Sequence, residues 1–443
     1  MIKLFALLVC CNLAFIGFSQ QVYIGRFDID ATPPPGTWLV YDSMANSWDQ
    51  GLRAKGIVIT GAGEPIVLCA IDWIGIANDG YDAFREAMAS AAGTSPSRVA
   101  LHALHQHDAP ACDFGAERLL KEEGLPLGCF EGSFAREVIE RLRVAIKNSW
   151  PEPVTHIGTG QAEVYKVASN RRIVGADGKV AFTRMSATKD SAVRAMPEGL
   201  IDPMVSLVSF WNGDKPLAVL SYYATHPQSY YRTGIANPDI PGVARYLRQL
   251  AVPDALHIHF NGAGGNITAG KYNDGSHENR LLLAERLADG MKRAWKATKK
   301  EKLTASDVGW KVEAVALPAK EDLGKIKGLL RKEKSTFVAN NASKVIWWER
   351  RKAGKKIDVS CLRLGPARIL HLPGECFVEY QLAAKKARSD LFVAVAAYGD
   401  YGMGYIGTAE AYEEGGYESG MASGVTREVE QVLMGAIKKL LTK

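Results

Sequence analysis

The stretch Val99–Pro110, VALHALHQHDAP, sets His102, His105 and His107 within six residues directly behind an apolar run. Alternation predicts a strand over Arg98–Leu104, whose period of two would place His105 and His107 on one face. Imidazole is the commonest metal ligand and a general base near neutral pH, so a pair at a strand end could supply one of each. Buried histidines also serve simply to satisfy hydrogen bonds, and the stretch alone leaves both readings open. The segments before it read as a hairpin (Ala54–Thr60 and Pro65–Asp72) and a helix over Tyr81–Ala92. That alternation makes VALHALHQHDAP the carboxyl end of a strand in an α/β arrangement, where such sheets place their ligands.

Further along the chain the same organisation recurs. Asp72 ends a strand and could sit on a site rim or cap the next turn. A strand over Gly158–Ala168 runs into Ser169-Asn170-Arg171-Arg172, where the arginines are either plain surface or a binding point for an anionic or carbonyl group. The pair Met204–Trp211 and Lys215–Tyr223 ends in Ala224–Ser229, which again puts a histidine, His226, before a proline. The strand His257–Asn261 carries its own HxH pair inside the strand, read as structural, and opens into the glycine-rich turn Gly262–Thr268. That turn would let backbone N–H groups approach a ligand, although neither a phosphate-binding GK[ST] nor a dinucleotide GxGxxG pattern is present. Two strands within Ile357–Leu372 lead to Pro373-Gly374-Glu375-Cys376, and Leu391–Ala397 leads to a loop carrying Tyr398, Tyr401, Tyr405, Tyr412 and Tyr417. Two imidazoles with one carboxylate form a known catalytic zinc set with an open position for water; the strand-end candidates for such a set are His105, His107, His226, Glu375 and a tyrosine of that loop.

At 443 residues with 47% hydrophobic and 23% charged content, the chain has the composition of a globular protein able to bury a large core. Its net charge of +6 is mild, and the Lys/Arg clusters at Lys325–Lys334 and Arg350–Lys356 read as solvated helix faces, so no nucleic-acid partner is expected. Residues 1–19 combine a basic start with an apolar run and read as a signal peptide, giving a secreted or periplasmic protein. Cys10 and Cys11 lack a good lipobox context, which disfavours a lipoprotein. Beyond the leader five cysteines remain, an odd number that rules out a fully paired disulfide scaffold; Cys112 and Cys129 flank one loop and could pair. No repeat or linker marks an internal boundary.

The order of motifs resembles the neutral/alkaline (non-lysosomal) ceramidase family, especially its shorter bacterial members. A DITPP-type turn matches Asp30-Ala31-Thr32-Pro33-Pro34, and a THTHSGP-type motif resembles Leu104–Pro110. An NRR stretch matches Asn170–Arg172, and a strand-end His motif matches Ala224–Ser229. Gly265-Asn266-Ile267-Thr268 resembles GNLSPN, Leu372–Glu375 matches LPGE, and Gly404–Tyr412 resembles GYVTTPEEY. The departures are Gln106, Asp108 and Ala109 in the histidine motif and Thr268 in place of a Ser. The chain also ends soon after the tyrosine loop, so an immunoglobulin-like C-terminal domain is not expected.

The resemblance implies a single large α/β catalytic domain over residues 20–443, with mixed β-sheets flanked by helices. It implies a Zn2+ held by His105, His226, Glu375 and Tyr405, with His107 as acid/base and Tyr405 and Arg171 also serving the reaction. Arg172, Tyr417, Asn266 and Thr268 would contact substrate. The activity implied is metal-assisted hydrolysis of an N-acyl amide, ceramide or a related lipid, with peripheral membrane contact as one expectation. Other amides or esters, such as an N-acylated sugar or amino lipid, and a non-catalytic secreted metal-binding role are the alternatives. Oligomeric state is not legible in the sequence.

Overall fold

The computed structural model describes residues 21–44, 50–330 and 336–442; the expected signal peptide lies outside them. Three larger sheets carry the fold. The first has five strands in the order Val99–Ala103, Ile66–Ile71, Arg53–Thr60, Val22–Asp30 and Pro151–Val154. In the second, the order is Leu256–Asn261, Lys215–Tyr223, Met204–Asn212, His156–Glu163 and Lys299–Lys302. The third has four strands, Val308–Val315, Ile357–Leu364, Ala367–His371 and Phe392–Ala396. Each sheet is antiparallel apart from one parallel pair at its edge: Ile66–Ile71 with Val99–Ala103, Lys215–Tyr223 with Leu256–Asn261, and Ala367–His371 with Phe392–Ala396.

Period-two patterning sorts the side chains of every sheet into two layers. Val67, Cys69 and Ile71 face outward, into one cluster with Phe84 and Met88 of the helix Asn78–Ala92, while Ile66, Leu68 and Ala70 face inward. The inward cluster also holds Ile258 and Phe260 of the second sheet and Ile369 and Ala394 of the third. Outside the second sheet, Val205, Leu207 and Val219 pack with Ile240 and Ala244 of the helix Asp239–Ala251 and Leu283 and Leu287 of Glu278–Lys296. The architecture is therefore the expected α/β one: three mixed sheets share an inner core, and helices cover their outer faces.

The three parallel edge strands meet at the centre. An exposed edge leaves unpaired N–H and C=O groups, and here the edges satisfy one another just beyond their strand ends. Ala103 N donates to Tyr398 O at 3.0 Å and Ala397 N to Asn261 O at 2.9 Å. Asn261 Nδ2 donates to Leu104 O at 3.1 Å, and its Oδ1 accepts from Thr225 N at 3.4 Å. One buried asparagine thus touches all three sheets, next to the residues that begin the loops after Leu104, Thr225 and Ala397.

Some local expectations need correction. The histidine strand ends at Ala103, and His105 has a left-handed φ of 72°, so His105 and His107 sit in a tight loop and not on one strand face. Asp72 neither caps a turn nor lines a rim; it is fully buried in a two-point ion pair with Arg245 at 2.8 and 2.7 Å. Cys112 and Cys129 are buried and not joined in a disulfide. A helix over Thr336–Lys352 ends in Arg350–Lys352, the start of a cluster read as a solvated helix face; the rest of that helix was not anticipated. No helix among the described residues is long and apolar enough to cross a membrane. Replacing Asn261 by Ala would leave the buried Leu104 carbonyl without its donor, and is expected to lower the unfolding free energy by about 1–3 kcal/mol in urea denaturation.

Candidate metal centre

Each main sheet sends loop residues to the centre from the carboxyl end of its parallel pair. His105 follows Val99–Ala103, His226 follows Lys215–Tyr223, and Glu375 follows Ala367–His371. Glu375 pairs in parallel register with Tyr405 in a two-residue bridge, which fixes the carboxylate beside the phenol. All four are buried.

The backbone sets the tautomer of both histidines. His105 Nδ1 lies 2.7 Å from Ile74 O, and His226 Nδ1 lies 2.8 Å from Gly264 O. A carbonyl only accepts, so each Nδ1 carries a proton, and in its neutral form each ring turns an Nε2 lone pair inward. Both lone pairs face one atom: Glu375 Oε2 is 3.1 Å from His105 Nε2 and 3.0 Å from His226 Nε2. Tyr405 Oη stands 3.3 Å from His226 Nε2. With both rings neutral, Glu375 Oε2 has no donor, whereas its Oε1 accepts from Tyr401 Oη at 2.6 Å.

Three electron-pair donors converging in a dry site repel one another unless a proton or a cation lies between them. Burial, followed by the nearby Arg171 charge, pushes the His226 pKa down to about 4, which disfavours the proton. Burial raises the Glu375 carboxyl, and only protonated, donating forms of His105 and His226 would hold it well below the usual carboxylate range; with both rings neutral, a cation between them takes that part. The residues therefore fit a divalent cation, and the carbonyl partners on Nδ1 are the second contacts that orient metal-bound imidazoles.

His107 completes the cluster. Its ring centre is 5.0 Å from that of His105 and 5.7 Å from that of His226, and it stacks on Tyr41 at 6.0 Å. His105, His107 and His226 offer ligand atoms all within 4.8 Å of one another, so His107 is near enough to act as ligand or proton carrier. Burial, then the adjacent His105 and His226, pushes its pKa well below the ordinary value and keeps the ring a neutral base.

Other expected residues divide sharply. Arg171 reaches the centre: its guanidinium donates to Tyr405 Oη at 3.3 Å and to Tyr417 Oη, and Tyr417 Oη lies 3.4 Å from Tyr405 Oη. Arg172 points away, into Glu414 and Glu418 at 2.9 and 3.1 Å, and does not line the cavity at the centre. Asn266 is bound to Glu379 and to the amide of Val378, and Thr268 donates to Ser186 Oγ at 3.0 Å. Neither lines the cavity at the centre. In the glycine-rich turn the N–H groups of Gly262, Gly265 and Ile267 donate to the Tyr223, Cys376 and Gly264 carbonyls, while its Gly264 and Ile267 carbonyls accept from His226 Nδ1 and His226 N. His102 is structural, bonded to Ala397 O and His371, and His259 pairs with Ser221.

Sequence reasoning did not single out Tyr41, Ser186, Gln228 and Tyr231, which line a cavity of about 540 Å3 at the centre together with His107, Arg171 and Tyr417. Tyr41, Ser186 and Tyr231 lie outside the motifs, and Gln228 sits two residues past His226 within Ala224–Ser229. Tyr401 carried the only available signal, its place in the tyrosine-rich loop.

No family model matches the chain, and no curated protein matches it. Solved structures do. A structure titled "Ceramidase complexed with C2" superposes with a TM-score of 0.68 at 15% identity, covering 95% of this chain and 75% of that one. The neutral ceramidase from Pseudomonas aeruginosa gives a TM-score of 0.67 at 15% identity, over 95% of this chain and 74% of that one. At so low an identity the agreement is one of architecture, and over nearly its whole length this chain has the neutral ceramidase fold.

Proposed function

We propose that the protein is a zinc-dependent hydrolase of N-acyl amides. The observation that carries the reading is the convergence of two imidazole Nε2 atoms and a carboxylate oxygen in a buried site that opens onto a cavity. The neutral ceramidase fold supports the same reaction class. His105, His226 and Glu375 would hold the ion, with Tyr405 as a fourth donor. Zinc bound there would polarise the acyl carbonyl and bring the pKa of its water to about 7.

This chain's own groups account for the rest. His107, buried and neutral, accepts a proton from the attacking water and returns it to the departing amine. Arg171 and the hydroxyls of Tyr405 and Tyr417 are donors poised for the negative charge that develops on the carbonyl oxygen. Burial raises the Tyr405 phenol well above its ordinary pKa, with Glu375 adding to the effect and Arg171 opposing it, so without an ion it stays a proton donor. Tyr401 holds Glu375 Oε1 and leaves Oε2 for the ion. Met185, Tyr231 and Tyr417 line the cavity partly exposed, which suits an acyl substrate delivered from a lipid surface. The apolar leader over residues 1–19 supports export.

Purified protein is expected to contain about one zinc per chain by atomic emission, and His226→Ala to lower zinc affinity by more than about a hundredfold. Amide hydrolysis that persists in rigorously metal-free protein would refute the mechanism. His107→Ala is expected to keep zinc bound while lowering kcat by about 10²- to 10⁴-fold; loss of zinc in that variant would instead make His107 a ligand.

A further inference from the structure

Thr268 lies outside the cavity at the metal centre, yet its hydroxyl belongs to a chain of hydrogen bonds that ends on the cavity wall. Gly270 N donates to Thr268 Oγ1 at 3.3 Å, Thr268 Oγ1 donates to Ser186 Oγ at 3.0 Å, and Ser186 Oγ donates to Gln228 Oε1 at 2.7 Å. Both ends set the direction, because a backbone N–H only donates and an amide oxygen only accepts. Thr268 receives the Gly270 proton and turns its own to Ser186, which turns its own to Gln228. The carboxamide of Gln228 is thereby held with its oxygen on Ser186. Its Nε2 stands open, with no acceptor among the described residues, and Gln228 lines the cavity of about 540 Å3.

Each link is also anchored separately. Thr268 is wholly buried and pairs with Ser169 across a short antiparallel bridge. Ser186 is buried, and its carbonyl accepts from Asn273 Nδ2 at 2.7 Å. Gln228 N donates to His226 O at 3.1 Å, which ties the amide to the backbone of a proposed zinc ligand. Arg171, Tyr405 and Tyr417 form a separate donor cluster, bonded to one another and not to Gln228. A carboxamide neither ionises nor shuttles protons, so this group binds and does not react. Once substrate expels water, an unmatched donor costs free energy, and a site built to hydrogen-bond a substrate oxygen disfavours the analogue lacking it.

We propose that Gln228 is a specificity-determining residue whose Nε2 donates to an oxygen of the substrate other than the scissile carbonyl, of which a hydroxyl near the amide bond is the smallest. Ser186 and Thr268 are positioning residues that hold the carboxamide the right way round. The proposal rests on the hydrolase reading above and deepens it, naming the substrate as an N-acyl amide with a second oxygen beside the scissile bond. That oxygen belongs to the amine half or to the acyl half, and the test separates the two.

The test compares three amides on zinc-loaded protein. N-octanoylpropylamine is the parent, N-octanoylethanolamine replaces its amine-side methyl by a hydroxyl, and N-(2-hydroxyoctanoyl)propylamine carries the hydroxyl on the acyl side. One hydroxylated amide is expected to exceed the parent by about 2- to 10-fold in kcat/KM, the range of one neutral hydrogen bond, and its identity assigns the half. Gln228→Met should bring that ratio to about 1, as should Thr268→Val, whereas Thr268→Ser keeps the hydroxyl and should retain the ratio. Loss of the ratio in both Thr268 variants would make Thr268 a packing residue and overturn its positioning role. A wild-type ratio near 1 for both hydroxylated amides, or a ratio that survives Gln228→Met, would overturn the assignment and leave the hydrolase reading intact. Equal slowing of all three amides by Gln228→Met would place its amide at the scissile carbonyl and overturn the assignment too. Calorimetry on the His107→Ala protein should give the same order in Kd; that order without turnover of any amide by wild-type protein would keep the Gln228 contact and remove the hydrolase reading. If Gln228→Met fails to fold, Thr268→Val and Thr268→Ser decide.

Discussion

Asn261 is the point on which the assembly of the site depends. Its amide nitrogen bonds the carbonyl of Leu104, its amide oxygen receives the N–H of Thr225, and its own carbonyl receives the N–H of Ala397. The next residue along in two of those cases is a proposed ligand, His105 or His226. In the third it is Tyr398, whose ring stacks on His105 with centres 4.6 Å apart. Three parallel strand ends from three sheets are thereby held in one register, and the positions of the imidazoles follow from sheet geometry rather than from loop packing alone. Sites carried on rigid elements are held more tightly than sites on loops.

The centre has an electrostatic logic of its own. Carbonyl groups of Ile74 and Gly264 fix where the ring protons sit, and this fixes where the lone pairs point. A hydroxyl at Tyr401 satisfies one oxygen of Glu375 and leaves the other facing the histidines. Left-handed backbone at His105 and Tyr398, with φ of 72° and 61°, is uncommon for residues with a Cβ. Its recurrence at two contacting rings shows a loop geometry imposed by the surrounding hydrogen bonds.

Much of this was legible in the sequence, for a definite reason. His105, His226 and Glu375 each combine reactive chemistry with a strand-end position, and strand ends can be read from hydrophobic runs broken by Pro and Gly. Arg171 could not be told from Arg172, because neighbouring residues point in opposite directions and only the tertiary surroundings reveal which side holds Glu414 and Glu418. Asn266 and Thr268 belong to a glycine-rich turn that looks exposed in sequence yet folds inward onto Glu379 and Ser186. Asp72 illustrates the same limit: its partner, Arg245, lies on a helix far along the chain. The left-handed turn at His105 has no glycine or asparagine to signal it. The walls contributed by Tyr41, by Ser186, and by Gln228 and Tyr231 together come from three connections that only the three-sheet arrangement brings together.

None of the five cysteines among the described residues is in a disulfide, so no such cross-link joins distant parts of this long chain there. The proposed ligands His105, His226 and Glu375 come from different sheets, and an ion bound between them would close two long loops at once. Loop closure of this kind removes conformational entropy from the unfolded chain, and binding energy gained only in the folded state adds directly to stability. The metal would then be the cross-link of the molecule as well as its reagent, so that availability of the ion would govern how long the folded protein persists and not only whether it turns over.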